Sequence, residues 1–424
     1  MQVHLHELAA LKRCGTPKGV TSVCSAFPIV LRAALRHGRA TASTVLIEAT
    51  CNQVNHLGGY TGMLPADFAA LVRQLAMEED CPEQFVVLGG DHLGPNPWRD
   101  RPAAEAMAEA EKMVAAYIAA GFRKIHLDAS MGCKGEPGAL DDETTARRAA
   151  RLALVAEATA RRTDGTMPVY VIGTEVPPPG GADHTLTAIE PTSPTAARQT
   201  IDIHRSIFAD AGLSDAFSRA IGLVVQPGVE FGNRNVIKYD RTRTTDLTRV
   251  LDEEPQFVFE AHSTDYQGAH PLSELVEDGF LILKVGPELT FVLREAVYAL
   301  DLIASDLVAD YGSRPLFAAM ESLMLSQPEY WSRHYAGTEA EKRVLRHYSL
   351  SDRIRYYWTS PQARSAVDRL IATMKGQSVP LPLFWQHMPE AEQFAGTPLD
   401  PEALVIWRVT QSLATYHAAC GAAV

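Results

Sequence analysis

The chain has 424 residues and a formal net charge of -12, with 39 Lys and Arg against 51 Asp and Glu. It is 46% hydrophobic and 21% charged, the composition of an ordinary soluble globular protein. The acidic balance excludes a nucleic-acid binder, which needs a basic face, but not a phosphorylated substrate, which a few local Arg or Lys can hold.

In chain order, short apolar runs of strand length alternate with longer amphipathic stretches. The runs are Val20–Cys24, Thr44–Glu48, Phe85–Leu88, Lys124–Asp128, Val169–Ile172, Ile221–Val225, Phe257–Glu260 and Leu281–Lys284. Their β-branched and aromatic content suits parallel strands buried on both faces. Between them, Ala103–Ala120 and Asp141–Arg161 are rich in Ala, Glu, Arg and Leu and read as helices. Eight such β-then-α units predict an α/β fold of the (β/α)8 TIM-barrel type. A doubly wound open sheet is the alternative, because strand number alone does not close a sheet. The alternation runs from about Gly19 to Asp310, which places the barrel domain at residues 1–312. Residues 313–424 show no strand pattern and are expected to form a helical extension packed on the barrel, with helices near Pro315–Met324 and Glu402–His417.

Met1–Arg13 lacks the apolar core of a secretory signal, and no apolar run is long enough to span a bilayer, so no membrane partner is expected. The six cysteines show no metal or disulfide spacing and read as reduced thiols of a cytoplasmic protein. Cys51 and Cys133, near candidate site loops, read as buried fillers.

The densest chemistry follows the third run, as Gly89-Gly90-Asp91-His92-Leu93-Gly94-Pro95. Parallel α/β sheets place their chemistry at the C-terminal ends of strands. The other runs end on Glu48 to Gln53, His126 to Ser130, Gly173 to Pro177, Gln226 to Glu230, Glu260 to Asp265 and Lys284 to Glu288. Burying so many ionisable groups without a task is costly, so the set predicts a functional mouth, with satisfied structural ion pairs as the alternative for any single residue. His92 and His262, with Glu175 and Gln226 from strands between them, suit zinc, manganese or a similar divalent ion. His126 is a weaker candidate because its direction depends on register. His4, His6, His37 and His347 lack such context and read as surface residues.

Phosphate is a second theme. Lys284-Val285-Gly286-Pro287 sits where barrels often hold phosphate, near the last strand and the helix after it. Tyr348 to Trp358 is dense in Arg and aromatic residues, and Arg353 and Arg355 with nearby hydroxyls could clamp a phosphate. The alternative is a packing face with its own ion pairs. No P-loop, no dinucleotide-binding G-x-G-x-x-G after a strand and no G-x-S-x-G elbow is present, which argues against a P-loop kinase, a Rossmann dehydrogenase and an α/β-hydrolase.

Long motifs then carry a resemblance. Ser22 to Ala26, Ile47 to Thr50, Asn52 to Asn55, Gly58 to Met63, Gly89 to Pro95, Lys124 to Met131, Ile172 to Pro177, Val225 to Phe231, Glu260 to Gln267, Lys284 to Pro287 and Tyr348 to Trp358 together resemble the GatZ/KbaZ family over nearly the whole chain. The resemblance implies a TIM barrel similar to class II aldolases. It also implies a place in galactitol and tagatose catabolism. Members of the family have been described as a non-catalytic subunit of class II tagatose-bisphosphate aldolase, as tagatose-6-phosphate kinases, and as 4-epimerases of tagatose 6-phosphate and fructose 6-phosphate. The implied partners are therefore a phosphorylated ketohexose and an aldolase catalytic subunit, and a homo-oligomer is open. Asp91 resembles the catalytic Asp of class II aldolases, and His92 and His262 resemble two of their metal histidines. Gln226 stands where a further metal histidine is expected, a departure from a three-histidine site.

Fructose and tagatose phosphates differ only at C4, which is β to the C2 carbonyl, so simple deprotonation cannot invert it. Transient oxidation would need a nicotinamide cofactor, for which no site is found. Retro-aldol cleavage between C3 and C4 needs a Lewis acid, a base and a phosphate clamp. The expected roles are His92, His262, Glu175 and Gln226 for the metal and Asp91 as acid/base at the C4 oxygen, with Asp265 or Glu48 as a second proton carrier. Lys284, Ser130, Asn52, Arg353 and Arg355 are expected to hold hydroxyls and phosphate.

Overall fold

The structure, a computed structural model, describes residues 3–174 and 189–421. Each apolar run forms part of a strand: β1 Val20–Val23, β2 Val45–Thr50, β3 Val86–Leu93, β4 Lys124–Leu127, β5 Val169–Gly173, β6 Ala220–Val224, β7 Val258–Ala261 and β8 Phe280–Val285. Every strand pairs in parallel with its sequence neighbours, and β8 pairs with β1, so the sheet closes. The open-sheet alternative is thereby excluded.

The helices follow from their burial stripes. Ala103–Ala119 buries Ala106, Met107, Ala110, Met113, Val114, Tyr117 and Ile118, a helical spacing that turns one face to the barrel. Asp142–Arg162 starts where the Asp141 side chain accepts from the Thr144 N–H, has acidic residues in its first turn and ends on Arg161 and Arg162, all of which suit the helix dipole. Beyond β8 come Pro287–Leu307, Pro315–Ser326, Glu339–Tyr348, Pro361–Met374 and Pro401–Ala419. The last of these packs on helices Pro28–Thr41, Ala269–Glu277 and Pro287–Leu307. No described helix is long and apolar enough to cross a membrane. The tail is also pinned to loops at the barrel mouth. Leu350 donates its N–H to the Asn233 carbonyl (3.1 Å), Ser349 and Ser351 donate to Asn233 Oδ1 (2.8 and 2.9 Å), and Tyr266 Oη donates to the Leu350 carbonyl (2.6 Å).

Two strands run further than the apolar pattern predicts, and this moves the chemistry. β2 continues to Thr50, so Glu48 lies inside the barrel, fully buried, and not at its mouth. Space for it comes from Gly89, its cross-strand partner, where a Cβ would stand 2.7 Å from Glu48 Cγ. β3 continues to Leu93, but its register with β4 slips between Gly90 and Leu93, and His92 has φ 49°. Consecutive strand residues normally face opposite sides. The bulge breaks that alternation, and Asp91 and His92 both reach the same cavity.

Gly94 then passes so close to the next strand end that an added Cβ would lie 1.7 Å from the Asp128 carbonyl oxygen. We predict that Gly94→Ala pushes β3 and β4 apart at the mouth and lowers stability by about 1–3 kcal/mol, as overpacking does. Urea unfolding monitored by tryptophan fluorescence checks this; an unchanged midpoint would contradict the close approach.

Candidate active site

A cavity of about 640 Å³ opens at the C-terminal ends of the strands. Its lining includes Asp91, His92, Asp128, His262, Asp265 and Lys284 from the barrel and Arg353, Arg355, Tyr356 and Trp358 from the tail.

Below and around its floor lies a buried charge network. Lys124 Nζ meets Glu48 Oε1 at 2.7 Å and Glu260 Oε2 at 2.6 Å, all three side chains being fully buried. Lys284 Nζ meets Asp91 Oδ1 at 2.5 Å, Glu48 Oε2 at 3.2 Å and Glu260 Oε1 at 3.8 Å. Ser22 Oγ donates to Glu48 Oε1 at 2.6 Å. Burial alone would lower both ammonium groups, but the surrounding carboxylates hold Lys124 and Lys284 above the usual lysine range. Burial would likewise raise Asp91 and Glu260. His92 and Lys284 for Asp91, and Lys124 and Lys284 for Glu260, hold both well below the usual carboxylate range.

Three imidazoles converge above this network. His92 Nδ1 contacts Asp128 Oδ2 at 2.8 Å, and His262 Nε2 contacts Glu260 Oε1 at 2.9 Å. His126 Nε2 contacts the Gly173 carbonyl at 3.0 Å, while its Nδ1 receives the His92 main-chain N–H at 3.3 Å. Each ring thus has one nitrogen against an oxygen. One ligand atom from each of Asp91, His92, His126 and His262 lies within 4.8 Å of the others. His126 Nδ1 stands 3.1 Å from Asp91 Oδ1, the oxygen that also meets Lys284 Nζ. Among the described residues, Glu48, Asp91 and Glu260 meet the ammoniums of Lys124 and Lys284, while Asp128 meets His92. Three imidazoles, each backed by a carboxylate or carbonyl, with one further carboxylate is a donor set that fits a divalent cation.

The predicted residues divide accordingly. Asp91, His92 and His262 come together, and His126, ranked low from sequence, joins them as a third imidazole. Gln226 does not offer its oxygen to the imidazole cluster: Oε1 accepts the N–H groups of Gly228 (2.8 Å) and Val229 (3.0 Å). Glu175 lies outside the described residues. Glu48 is a buried counter-ion, out of reach of a substrate proton. Lys284 lines the cavity, but its ammonium is held by three carboxylates, so it does not serve as a free phosphate clamp. Ser130 gives its hydroxyl to Asp128 Oδ1 (2.7 Å) and supports His92 through it. Asn52, Arg353 and Arg355 do line the cavity. His347, read as a surface residue, is buried, bonded to Tyr298 Oη (2.7 Å) and Glu321 (3.0 Å); His4 and His6 are exposed, and His37 is half-buried. Cys51 and Cys133 are buried fillers. Sequence reasoning counted Asp128 and Glu260 among the polar strand ends but gave them no role of their own, and it gave none to Lys124, marked only by being a charge in an otherwise apolar strand.

Asp265 is buried, and its Oδ1 accepts the N–H groups of Gly286 (3.0 Å) and Glu288 (2.8 Å). Burial and the neighbouring Glu288 raise its pKa to about 7. The unfolded value is about 3.9, so between about pH 4 and 7 the folded state holds the extra proton and stability falls as pH rises. The depressed groups Asp91 and Glu260 act with the opposite sign, their contribution being lost as pH falls below about 4. Asp265→Asn keeps the acceptor oxygen and removes the charge. We predict that the variant gains stability relative to the parent chain as pH rises from 5 to 7.5. Parallel urea midpoints for the two proteins across that range would contradict it.

A closed parallel barrel with an ionisable mouth of this kind defines a (β/α)8 enzyme. The chain belongs to the D-tagatose-1,6-bisphosphate aldolase subunit GatZ/KbaZ-like family, whose family model matches residues 5–421. It is 58% identical over 421 residues, 99% of each chain, to a protein of Agrobacterium fabrum named D-tagatose 6-phosphate 4-epimerase. It is also similar to a crystal structure from Sinorhizobium meliloti 1021, described as a probable tagatose 6 phosphate kinase, with 49% identity and a TM-score of 0.87 over 95% of this chain and 100% of that one.

Proposed function

We propose that the chain is a ketose-phosphate 4-epimerase that interconverts D-fructose 6-phosphate and D-tagatose 6-phosphate in carbohydrate catabolism. The near-full-length kinship with the Agrobacterium fabrum epimerase carries the reading. A kinase reading has less support, since the sequence has no P-loop. The six cysteines are unpaired, in keeping with a cytoplasmic protein.

The site residues suit cleavage and re-formation of the C3–C4 bond. His92, His126 and His262, beside Asp91, would hold a divalent cation, which when bound supplies Lewis-acid polarisation of the C2 and C3 oxygens. Asp91, held ionised by its cationic neighbours, is the group placed to take the C4 hydroxyl proton. Breaking C3–C4 sends the electron pair toward the C2 oxygen and leaves an aldehyde at C4. The Lys284 ammonium lies in the same low-dielectric wall and offsets the negative charge that develops. Rotation of the aldehyde presents its other face, the bond re-forms, and Asp91 returns the proton to the C4 oxygen. His92, steadied by Asp128 and Ser130, stays fixed while this happens.

Purified chain incubated with fructose 6-phosphate and manganese or zinc should yield tagatose 6-phosphate in the 13C NMR spectrum. Asp91→Asn should lower kcat by roughly 100- to 10,000-fold, the size of a lost acid/base group. Full activity of the Asn variant would remove Asp91 from this role, and full activity of chelator-treated protein would remove the cation. Absence of turnover with every metal tried would favour the second reading, a subunit of D-tagatose-1,6-bisphosphate aldolase as in the family's description.

A further inference from the structure

The cavity wall is electrically lopsided. Its floor carries carboxylates, while Arg99, Arg353 and Arg355 line another part. Arg355 is half-buried, with its guanidinium 4.5 Å from the centroid of the Tyr356 ring. It donates to the main-chain oxygens of Ser351 and Asp352 and, at 2.9 Å, to Tyr356 Oη. Its neighbour Asp352 acts on it only at a distance: that carboxylate accepts directly from Arg294 Nε (2.9 Å) and Thr290 Oγ1 (2.7 Å). Among the described residues Arg355 meets no carboxylate, and neither does Arg99, which reaches only Met131 Sδ. A guanidinium removed from water without a counter-ion is costly unless a ligand brings the negative charge.

The other place where a barrel usually holds phosphate is closed. Helix Pro287–Leu307 begins at the end of β8, where free N–H groups could cradle an anion. Here the Gly286 and Glu288 N–H groups both go to Asp265 Oδ1, Pro287 has none, and Leu289 donates to the Gly286 carbonyl (3.0 Å). Glu288 adds a second carboxylate beside them. An anion arriving there would find those N–H groups already taken and the Glu288 carboxylate beside them.

We infer that the site takes one phosphate only, held by Arg355 from the segment beyond the barrel, and that Asp265 bars a second phosphate from the end of β8. The inference rests on the reading of the substrate as a ketohexose phosphate. It selects a monophosphate over the 1,6-bisphosphate. It also gives the rotating aldehyde fragment a fixed tether, since the phosphate it carries stays on Arg355 while C4 turns over.

Isothermal titration of the full chain with fructose 6-phosphate, fructose 1-phosphate and fructose 1,6-bisphosphate tests this without relying on turnover. Fructose 6-phosphate should bind, and the 1,6-bisphosphate should bind about tenfold more weakly or worse than whichever monophosphate binds better. Arg355→Gln should weaken fructose 6-phosphate by about tenfold or more at an unchanged melting temperature, the loss of a charge-assisted bond. Asp265→Ala frees two N–H groups and removes the charge, so the gap between the 6-phosphate and the 1,6-bisphosphate should narrow. Bisphosphate binding as tight as that of the 6-phosphate, or Arg355→Gln binding like the parent chain, overturns the inference, as does a parent chain that binds none of the three. Arg355-dependent binding without epimerisation would instead overturn the 4-epimerase reading and leave the phosphate assignment standing.

Discussion

The bond between Lys124 and its two carboxylates, Glu48 and Glu260, sets the terms for the rest of this molecule. The three charges sit inside the barrel, where a lone ion would be prohibitive. Breaking such a pair by removing one partner typically costs about 3–5 kcal/mol, because it strands the other charge. Glu48 and Glu260 also reach Lys284, and Lys284 reaches Asp91. The interior therefore ties Asp91 to strands β2, β4, β7 and β8 at once. Gly89 exists in this scheme to make room for Glu48.

That network orients the three imidazoles. Glu260 serves both as counter-ion to Lys124 and as acceptor for His262, so the ion pair below and the imidazole above are fixed by one side chain. The same economy recurs at Asp128, which holds His92 and is held by Ser130. Groups whose protonation states are pushed apart by their surroundings are what acid–base chemistry at neutral pH requires. Here Asp91 is kept ionised by cations, while Asp265, facing Glu288 in a dry corner, is pushed the other way.

The fold was legible in the amino-acid sequence because buried parallel strands are short, apolar and bounded by polar ends, and because Ala103–Ala119 and Asp142–Arg162 show clear helical stripes and end signals. The site was legible as a set of strand ends, and Asp91, His92 and His262 were named for it. What sequence could not convey was direction. Glu48 looked like a strand end because the apolar pattern stops there, yet pairing continues two residues further. His126 could have faced the helices; only the register of β4 turns it inward. Gln226 looked like a ligand by position, but its oxygen closes its own loop. Arg355 stood in a segment whose density of Arg and aromatic residues was visible, while its lack of a carboxylate partner depends on Asp352 turning away with φ 44°.

The claim at the centre of this account is that C4 is inverted by breaking and remaking the C3–C4 bond. Competitive 13C isotope effects on the conversion of fructose 6-phosphate, read at natural abundance by NMR, test it most directly. Normal effects at both C3 and C4 are the predicted result, because both atoms of the bond change bonding in the same step. An effect at C4 with none at C3 would contradict the account, since it would mean that chemistry occurs at C4 while the carbon chain stays whole.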